Sequence, residues 1–190
     1  MTAYRALFEH GRTGPGKRVL VLGTGGVSMF AILLAIAAGA DVAVVSRDPA
    51  KLERALALGA RWGVCSTNEP EWGVTVREAT IGGVDHVIDV AGGSTLKESL
   101  RAVRPGGTIS LIGSTAGTRG APSLLPAVMR EVRLQGILVG PRSSFFSLAE
   151  LVENSTIRPI IDATFPLEDA SHAFQHMASG RAFGKIVVAL

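Results

Sequence analysis

The sequence predicts an α/β fold: a doubly wound parallel sheet of about six strands, closed by a short C-terminal α+β annex. Three observations carry this. Aliphatic runs at 18–22, 84–90 and 107–113 are continuous rather than alternating, as strands covered on both faces require. Helical patterns separate these runs in strict β-α order, which imposes right-handed crossovers. A glycine cluster, Gly23-Thr24-Gly25-Gly26, joins the first run directly to the first long helix.

Taken in order, RVLVL (18–22) is a buried strand and GVSMFAILLAIAAG (26–39) a helix that is apolar nearly all round. DVAVVS (41–46) is a second strand, and Pro49 opens a helix that stops near Leu58 at Gly59. A weak strand follows at 62–66, then a helix at 70–80 ending before Gly82-Gly83. VDHVIDV (84–90) is a strand, and STLKESLRAV (94–103) a helix with Ser94 as its cap. Pro105-Gly106 marks a turn into the strand GTISLIG (107–113). SLLPAVMREV holds a short helix broken by Pro126, and RLQGILVG (133–140) is a further strand. Beyond Gly140 the rhythm changes to a helix at 144–155, a two-proline segment, a capped helix in LEDASHAFQHMASG and a last strand, KIVVAL. The expected division is therefore 1–140 for the layered domain and 141–190 for the annex.

Bulk properties narrow the function classes. A chain of 190 residues, 47% apolar, buries roughly 70% of its unfolded surface and needs no covalent staple. Cys65 is the only cysteine, so neither an intrachain disulfide nor a cysteine-rich zinc site is available, and a reducing cytoplasm is the default expectation. The net charge of +3 is scattered, with one tyrosine and two tryptophans, which lacks the basic, aromatic footprint of nucleic-acid binding. The most apolar run, 29–40, falls well short of the ~20 residues that span a bilayer. The N-terminal segment has no basic, apolar and cleavable succession, so neither a membrane anchor nor a leader is expected.

The glycine turn carries the strongest chemical signal. Between a buried strand and a helix start, Gly23 permits an unusual backbone angle and Gly25 allows close approach of a bulky anion. The first-turn amides near Gly26 and Val27 then face that anion, aided by the helix dipole. Ser28 stands where a third glycine is usual. Its hydroxyl can bond to a carbonyl one turn earlier, so close packing is retained. A second strand ending about twenty residues on completes the dinucleotide pattern. That strand ends in Ser46-Arg47-Asp48. A cofactor with a free ribose 2′-hydroxyl meets an acid here, whereas a 2′-phosphate wants a cation. Arg47, with Lys51 a turn further on, points to NADP, and NAD is the alternative if Asp48 accepts the ribose.

Other constellations are weaker. His172 and His176 are four apart, but no general-base glutamate lies between them. Ala173, Phe174 and Met177 form the expected buried face of that helix, with both histidines toward the edge as solvated or hydrogen-bonded groups. His86 reads as a partly buried sheet residue with no acid to pair with, and His10 as a helix-end charge.

The stretches TAYRALFEHGRTGPGKRVLVLGTGGVSMFA, SRDPAKLERALALGA, GVDHVIDVAGG, LRAVRPGGTISLIG, LQGILVG and SGRAFGKIVV resemble the medium-chain dehydrogenase/reductase superfamily, and its zinc-type alcohol dehydrogenases above all. The resemblance covers essentially the whole chain and implies a Rossmann coenzyme domain. It also implies that the GroES-like half, which carries the catalytic zinc and its ligands, is missing, since the chain opens at the connecting helix of Thr2, Ala3 and Tyr4. Segments 141–190 would then pack on that missing half. Carried across by position, Gly23, Gly25, Gly26 and Val27 would meet the pyrophosphate, and Ser46, Arg47 and Lys51 the adenosine ribose. Val90, Ala91 and Gly92 would border the cofactor channel with Ile112, Gly113 and Ser114, and Val139 and Gly140 would approach the nicotinamide. Lys185 is either a contact from the returning strand or a solvated lysine.

The implied reaction is hydride transfer between a small alcohol or carbonyl and the nicotinamide, by a homo-oligomer pairing near 133–140. This chain alone has no catalytic residue and is expected to be inactive. A non-enzymatic nucleotide sensor is the rival class. A short-chain dehydrogenase is excluded: its tyrosine has a lysine one turn later, and Tyr4, the only tyrosine, has Phe8 there. A methyltransferase prefers an acid at the tip where Ser46-Arg47 stand.

Overall fold

A computed structural model of the chain describes residues 1–113 and 122–190. Helix α1 (Thr2–Tyr4) continues as a π-helical turn, Arg5–His10. There follow β1 (Arg18–Leu22), α2 (Gly26–Ala37), β2 (Asp41–Ser46), α3 (Pro49–Ala57) and β3 (Trp62–Cys65). The second half of the layered unit is α4 (Trp72–Ala79), β4 (Val84–Asp89), α5 (Leu96–Ala102), β5 (Val103–Leu111), α6 (Leu125–Met129) and β6 (Arg133–Gly136). The chain closes with α7 (Arg142–Glu153), β7 (Ile161–Pro166), a 3₁₀ turn, α8 (Ala170–Ala178) and β8 (Lys185–Ala189).

The first six strands form one parallel sheet in the order β3-β2-β1-β4-β5-β6. This is the doubly wound arrangement the sequence predicts. Its order reverses between β1 and β4, where open α/β sheets bind ligands outside the carboxyl ends. Strands β7 and β8 form a separate parallel pair.

Strand β1 shows why its run is unbroken. Val19 and Val21 join a core with Leu7, Ile32 and Leu34, while Leu20 and Leu22 join another with Val76, Leu100 and Ile109. Both faces are covered, so alternation would have exposed nothing to water. Each such side chain contributes about 1.5–3 kcal/mol on burial.

Four expectations are corrected. Strand β5 begins at Val103 and absorbs Pro105-Gly106 as a bulge: Val84 pairs with Val103, but His86 pairs with Thr108. Gly106 takes a φ of +68°, and its amide donates to the Arg130 carbonyl, so the turn chemistry bends a strand instead of ending one. Pro126 sits in the first turn of α6, where a missing N–H costs nothing, and does not break the helix. Helix α5 starts after Thr95 rather than Ser94, because the Thr95 hydroxyl is held by Asp89. On α8 only Ala173 is buried; Phe174 and Met177 are 66% and 59% exposed. Ala170, Ala173 and His176 make up the inward stripe of that helix.

Candidate nucleotide site

The site is built at the carboxyl end of β1. Gly23 turns the chain with a φ of +75°, and its amide donates to the Val45 carbonyl of β2 at 2.7 Å. Thr24 is buried and Gly25 exposed; a Cβ added at Gly25 would meet nothing within 4 Å. Gly25 caps α2 with its backbone alone, because no side chain caps the helix. The first-turn amides are therefore available to an outside acceptor.

Ser28 is 1% exposed, and its hydroxyl donates to the Leu22 carbonyl at 2.7 Å. The bond reaches past the turn to the last residue of β1, rather than one turn back along the helix. It draws α2 against the strand, which is the task a glycine performs by leaving room.

The amino end of α2 also carries a cation. A Cβ added at Gly26 would lie 2.8 Å from Lys185 Cδ and 3.4 Å from its ammonium. Lys185 arrives there because the Gly184 amide donates to the Thr24 carbonyl at 3.0 Å, with Gly25 and Gly184 forming a parallel bridge. An open backbone turn, uncapped amides and one ammonium suit a diphosphate group.

At the tip of β2, Ser46 is buried and its hydroxyl accepts from the Asp48 amide at 3.2 Å. Asp48 caps α3 through Oδ1 alone, which accepts from the Ala50 and Lys51 amides. Arg47 is exposed. Its carbonyl accepts from Thr67, and among the described residues none pairs with its guanidinium. Lys51 points elsewhere: it is buried and donates to the carbonyls of Gly180 and Ala182.

The remaining predicted positions among the described residues follow the carboxyl ends of β4, β5 and β6. Asp89, fully buried at the end of β4, accepts from the Ala91 and Gly92 amides and from the hydroxyls of Thr95 and Ser99. It fixes the path of Val90, Ala91 and Gly92. Gly113 is pressed to the same loop, since a Cβ there would lie 2.3 Å from the Val90 carbonyl oxygen, and the Ile112 amide donates to the Asp89 carbonyl. Ser114 lies outside the described residues. Val139 is 66% exposed, and Gly140, with a φ of +126°, packs on Arg5, whose guanidinium donates to the Leu138 carbonyl.

Sequence reasoning missed Asp89. Its signal was an acid at a strand end followed by glycine, threonine and serine three, six and ten residues on.

The histidines stand apart from this edge. His86 is 1% exposed and bonds Ser110 through Nε2 at 2.8 Å, while Nδ1 is buried without a partner. Burial lowers its pKa to about 4. His176 bonds Asp162 at 2.7 Å and His172 bonds Asp169 at 3.2 Å. Burial alone would raise the Asp162 carboxyl, but His176, the Phe183 amide and Arg54 outweigh it and hold the pKa low. Among the described residues no group of three or more His, Cys, Asp and Glu could hold a metal ion. No helix there is long and apolar enough to cross a membrane.

A model of the family described as zinc-binding dehydrogenase matches residues 26–154. A zinc-type alcohol dehydrogenase-like protein of Schizosaccharomyces pombe is 38% identical over 196 residues, covering 99% of this chain and 56% of that protein. Among solved structures, an NAD-dependent alcohol dehydrogenase superposes with a TM-score of 0.92 at 31% identity, covering 100% of this chain and 55% of the other. A crotonyl-CoA carboxylase/reductase in complex with NADP superposes with a TM-score of 0.87 at 26% identity, covering 98% and 53%. The chain thus spans about half the length of the relatives it matches.

Proposed function

The chain belongs to the zinc-binding dehydrogenase family, and from that premise we propose that it is the nicotinamide-dinucleotide-binding half of an alcohol dehydrogenase-type oxidoreductase, with NADP preferred. The carrying observation is the convergence at one open turn of Gly25, the uncapped amides of α2 and the Lys185 ammonium. Gly23, Gly26 and Val27 complete the cradle for the pyrophosphate. The bound nicotinamide would supply the hydride acceptor or donor. The chain's own residues would bind and orient it: Val90 to Gly92 and Ile112-Gly113 would border the cofactor, and Val139-Gly140 would approach the nicotinamide.

The preference for NADP rests on the β2 tip. Asp48 turns its Oδ1 to the α3 cap, and Arg47 is exposed with no described partner for its guanidinium. A charge-assisted contact to a 2′-phosphate is worth about 1.5–3 kcal/mol. Arg47→Ala should therefore weaken NADPH binding about ten- to a hundredfold and leave NADH unchanged. Equal wild-type affinities for the two nucleotides, by calorimetry, would overturn the preference.

The described residues offer no metal-ligand set, so no step is assigned to zinc on this chain. Residues 1–140 form the layered coenzyme unit, to which 141–190 add Lys185 at the turn and faces suited to a further domain. Alone, the chain binds and does not turn over; alcohol oxidation by the purified 190 residues would contradict that. Edge strand β6, with Leu138 and Val139 exposed beside it, would pair with a second copy in a cytoplasmic homo-oligomer.

A further inference from the structure

Resting on the nucleotide reading above, we propose that Arg5 and Glu9 are positioning residues for the nicotinamide end of the cofactor. From one turn of helix they grip both ends of the segment between β6 and α7 and hold it preformed.

The sheet order places that segment. With the glycine turn on β1 taking the pyrophosphate and the β2 tip the adenosine, the second nucleoside falls across the switch point, over β4, β5 and β6. Ile137, 3% exposed, anchors the exit from β6, and its amide donates to the Leu111 carbonyl. Residues 138–141 then cross to α7 outside any strand or helix. Such a segment loses conformational entropy when a ligand orders it, unless something fixes it first.

Arg5 and Glu9 supply that fixing. The Arg5 guanidinium donates through Nη1 to the Leu138 carbonyl at 3.1 Å and through Nε to Glu9 Oε2 at 2.8 Å. Its Nη2 lies 3.4 Å from His10 Nε2, so the π turn Arg5–His10 brings residues four and five positions on within reach of one arginine. The other oxygen of the same carboxylate, Glu9 Oε1, accepts from the hydroxyl of Ser144, a buried residue in the first turn of α7. One ion pair therefore joins the start of the segment to its end. Gly140 fits between: its φ is +126°, and a Cβ there would lie 2.2 Å from Arg5 Cδ, so the arginine stem lies where a side chain would stand.

Magnitudes separate this role from a structural one. Arg5 and Glu9 are an i,i+4 pair with side chains 21% and 33% exposed, and such pairs add little to stability. The Ser144 bond and, after it, the Arg5 bond and charge hold the Glu9 carboxyl below its ordinary range, against a desolvation that would raise it. Losing the pair should be felt by the ligand end that the segment meets, and hardly by the fold.

Calorimetric titration of wild type and Arg5→Met reads this directly, with NADPH and NADH set against 2′-phospho-ADP-ribose and ADP-ribose, which lack the nicotinamide. Methionine keeps a stem beside Gly140 and removes the fork. Arg5→Met should weaken NADPH and NADH alike, about fivefold, and leave both ribose forms unchanged. Equal losses on all four ligands, no loss on any, or a wild type that binds NADPH no more tightly than 2′-phospho-ADP-ribose would each overturn the proposal. Glu9→Gln should give the same split and cost less in the Arg5→Met background than alone; additive losses would count against the clamp.

Should Arg5→Met fail to fold by circular dichroism, Ser144→Ala decides, because it leaves the guanidinium in place and releases the far end. It should show the same split in smaller measure, and a loss shared by the ribose forms would overturn the proposal. Absence of wild-type binding to either dinucleotide sinks the nucleotide reading itself and this proposal with it; an unchanged Arg5→Met sinks this proposal only.

Discussion

The six-stranded sheet and the β7–β8 pair are both parallel and both rich in aliphatic residues, yet they are held by different forces. In β1, β2 and β4 nearly every residue is buried. In β7 and β8 no residue is fully buried, and the helix between them exposes Phe174 and Met177. The large sheet buries both its faces within this chain. The small one is fixed to it by Phe183, buried in the shared core, and by directed contacts: two lysine hydrogen bonds from α3, an arginine on the Phe183 ring, and the Gly25–Gly184 bridge. Apolar packing thus sets where the glycine turn lies, and one buried ring with polar clamps sets where Lys185 meets it.

Truncations in the two sheets should separate these forces most widely. Leu20→Ala in β1, at a fully buried position, should cost about 2–5 kcal/mol in urea unfolding. A comparable loss from an exposed position of the small sheet would erase the contrast.

Next comes acid sensitivity, which belongs to the large sheet through His86. The unfolded ring binds a proton near pH 6.5, while burial delays protonation of the folded one to about pH 4. Stability is complete above that window and falls as pH drops through it, by up to roughly 3 kcal/mol. The buried Nδ1 without a partner gives the same sign. A stability flat from pH 7 to 4.5 would show that the ring finds a partner for its second proton.

Where the two sheets meet, Gly25→Ala should weaken both nucleotides about tenfold and leave the melting temperature unchanged. Gly25 has a φ of −77° and open space at its Cβ, so the free chain accepts the methyl. A lowered melting temperature would assign the glycine to folding instead. Val188→Ala, 36% exposed on β8, should change stability by no more than about 0.5 kcal/mol.

The same contrast governs what the sequence discloses. β1 and β2 fall at 18–22 and 41–46 as predicted, because uninterrupted aliphatic runs ending at glycine or at a capped helix admit few alternatives. β5 starts four residues before its predicted start, because a Pro-Gly pair can bend a strand as well as end one. The glycine turn is legible since its chemistry is local. The destination of Lys51 is not, because its partners lie 129 and 131 residues away and a lysine beside Arg47 looks the same with either fate. Phe174 and Met177 mislead for a related reason: helical periodicity marks a face as apolar without saying what covers it.

Titration of the purified chain with NADPH and then NADH by calorimetry tests the nucleotide site most directly. Both should bind through the turn that Gly23, Gly25 and Lys185 form, with NADPH the tighter. If neither nucleotide binds, the glycine turn is a packing device, and the chain is not a coenzyme-binding half.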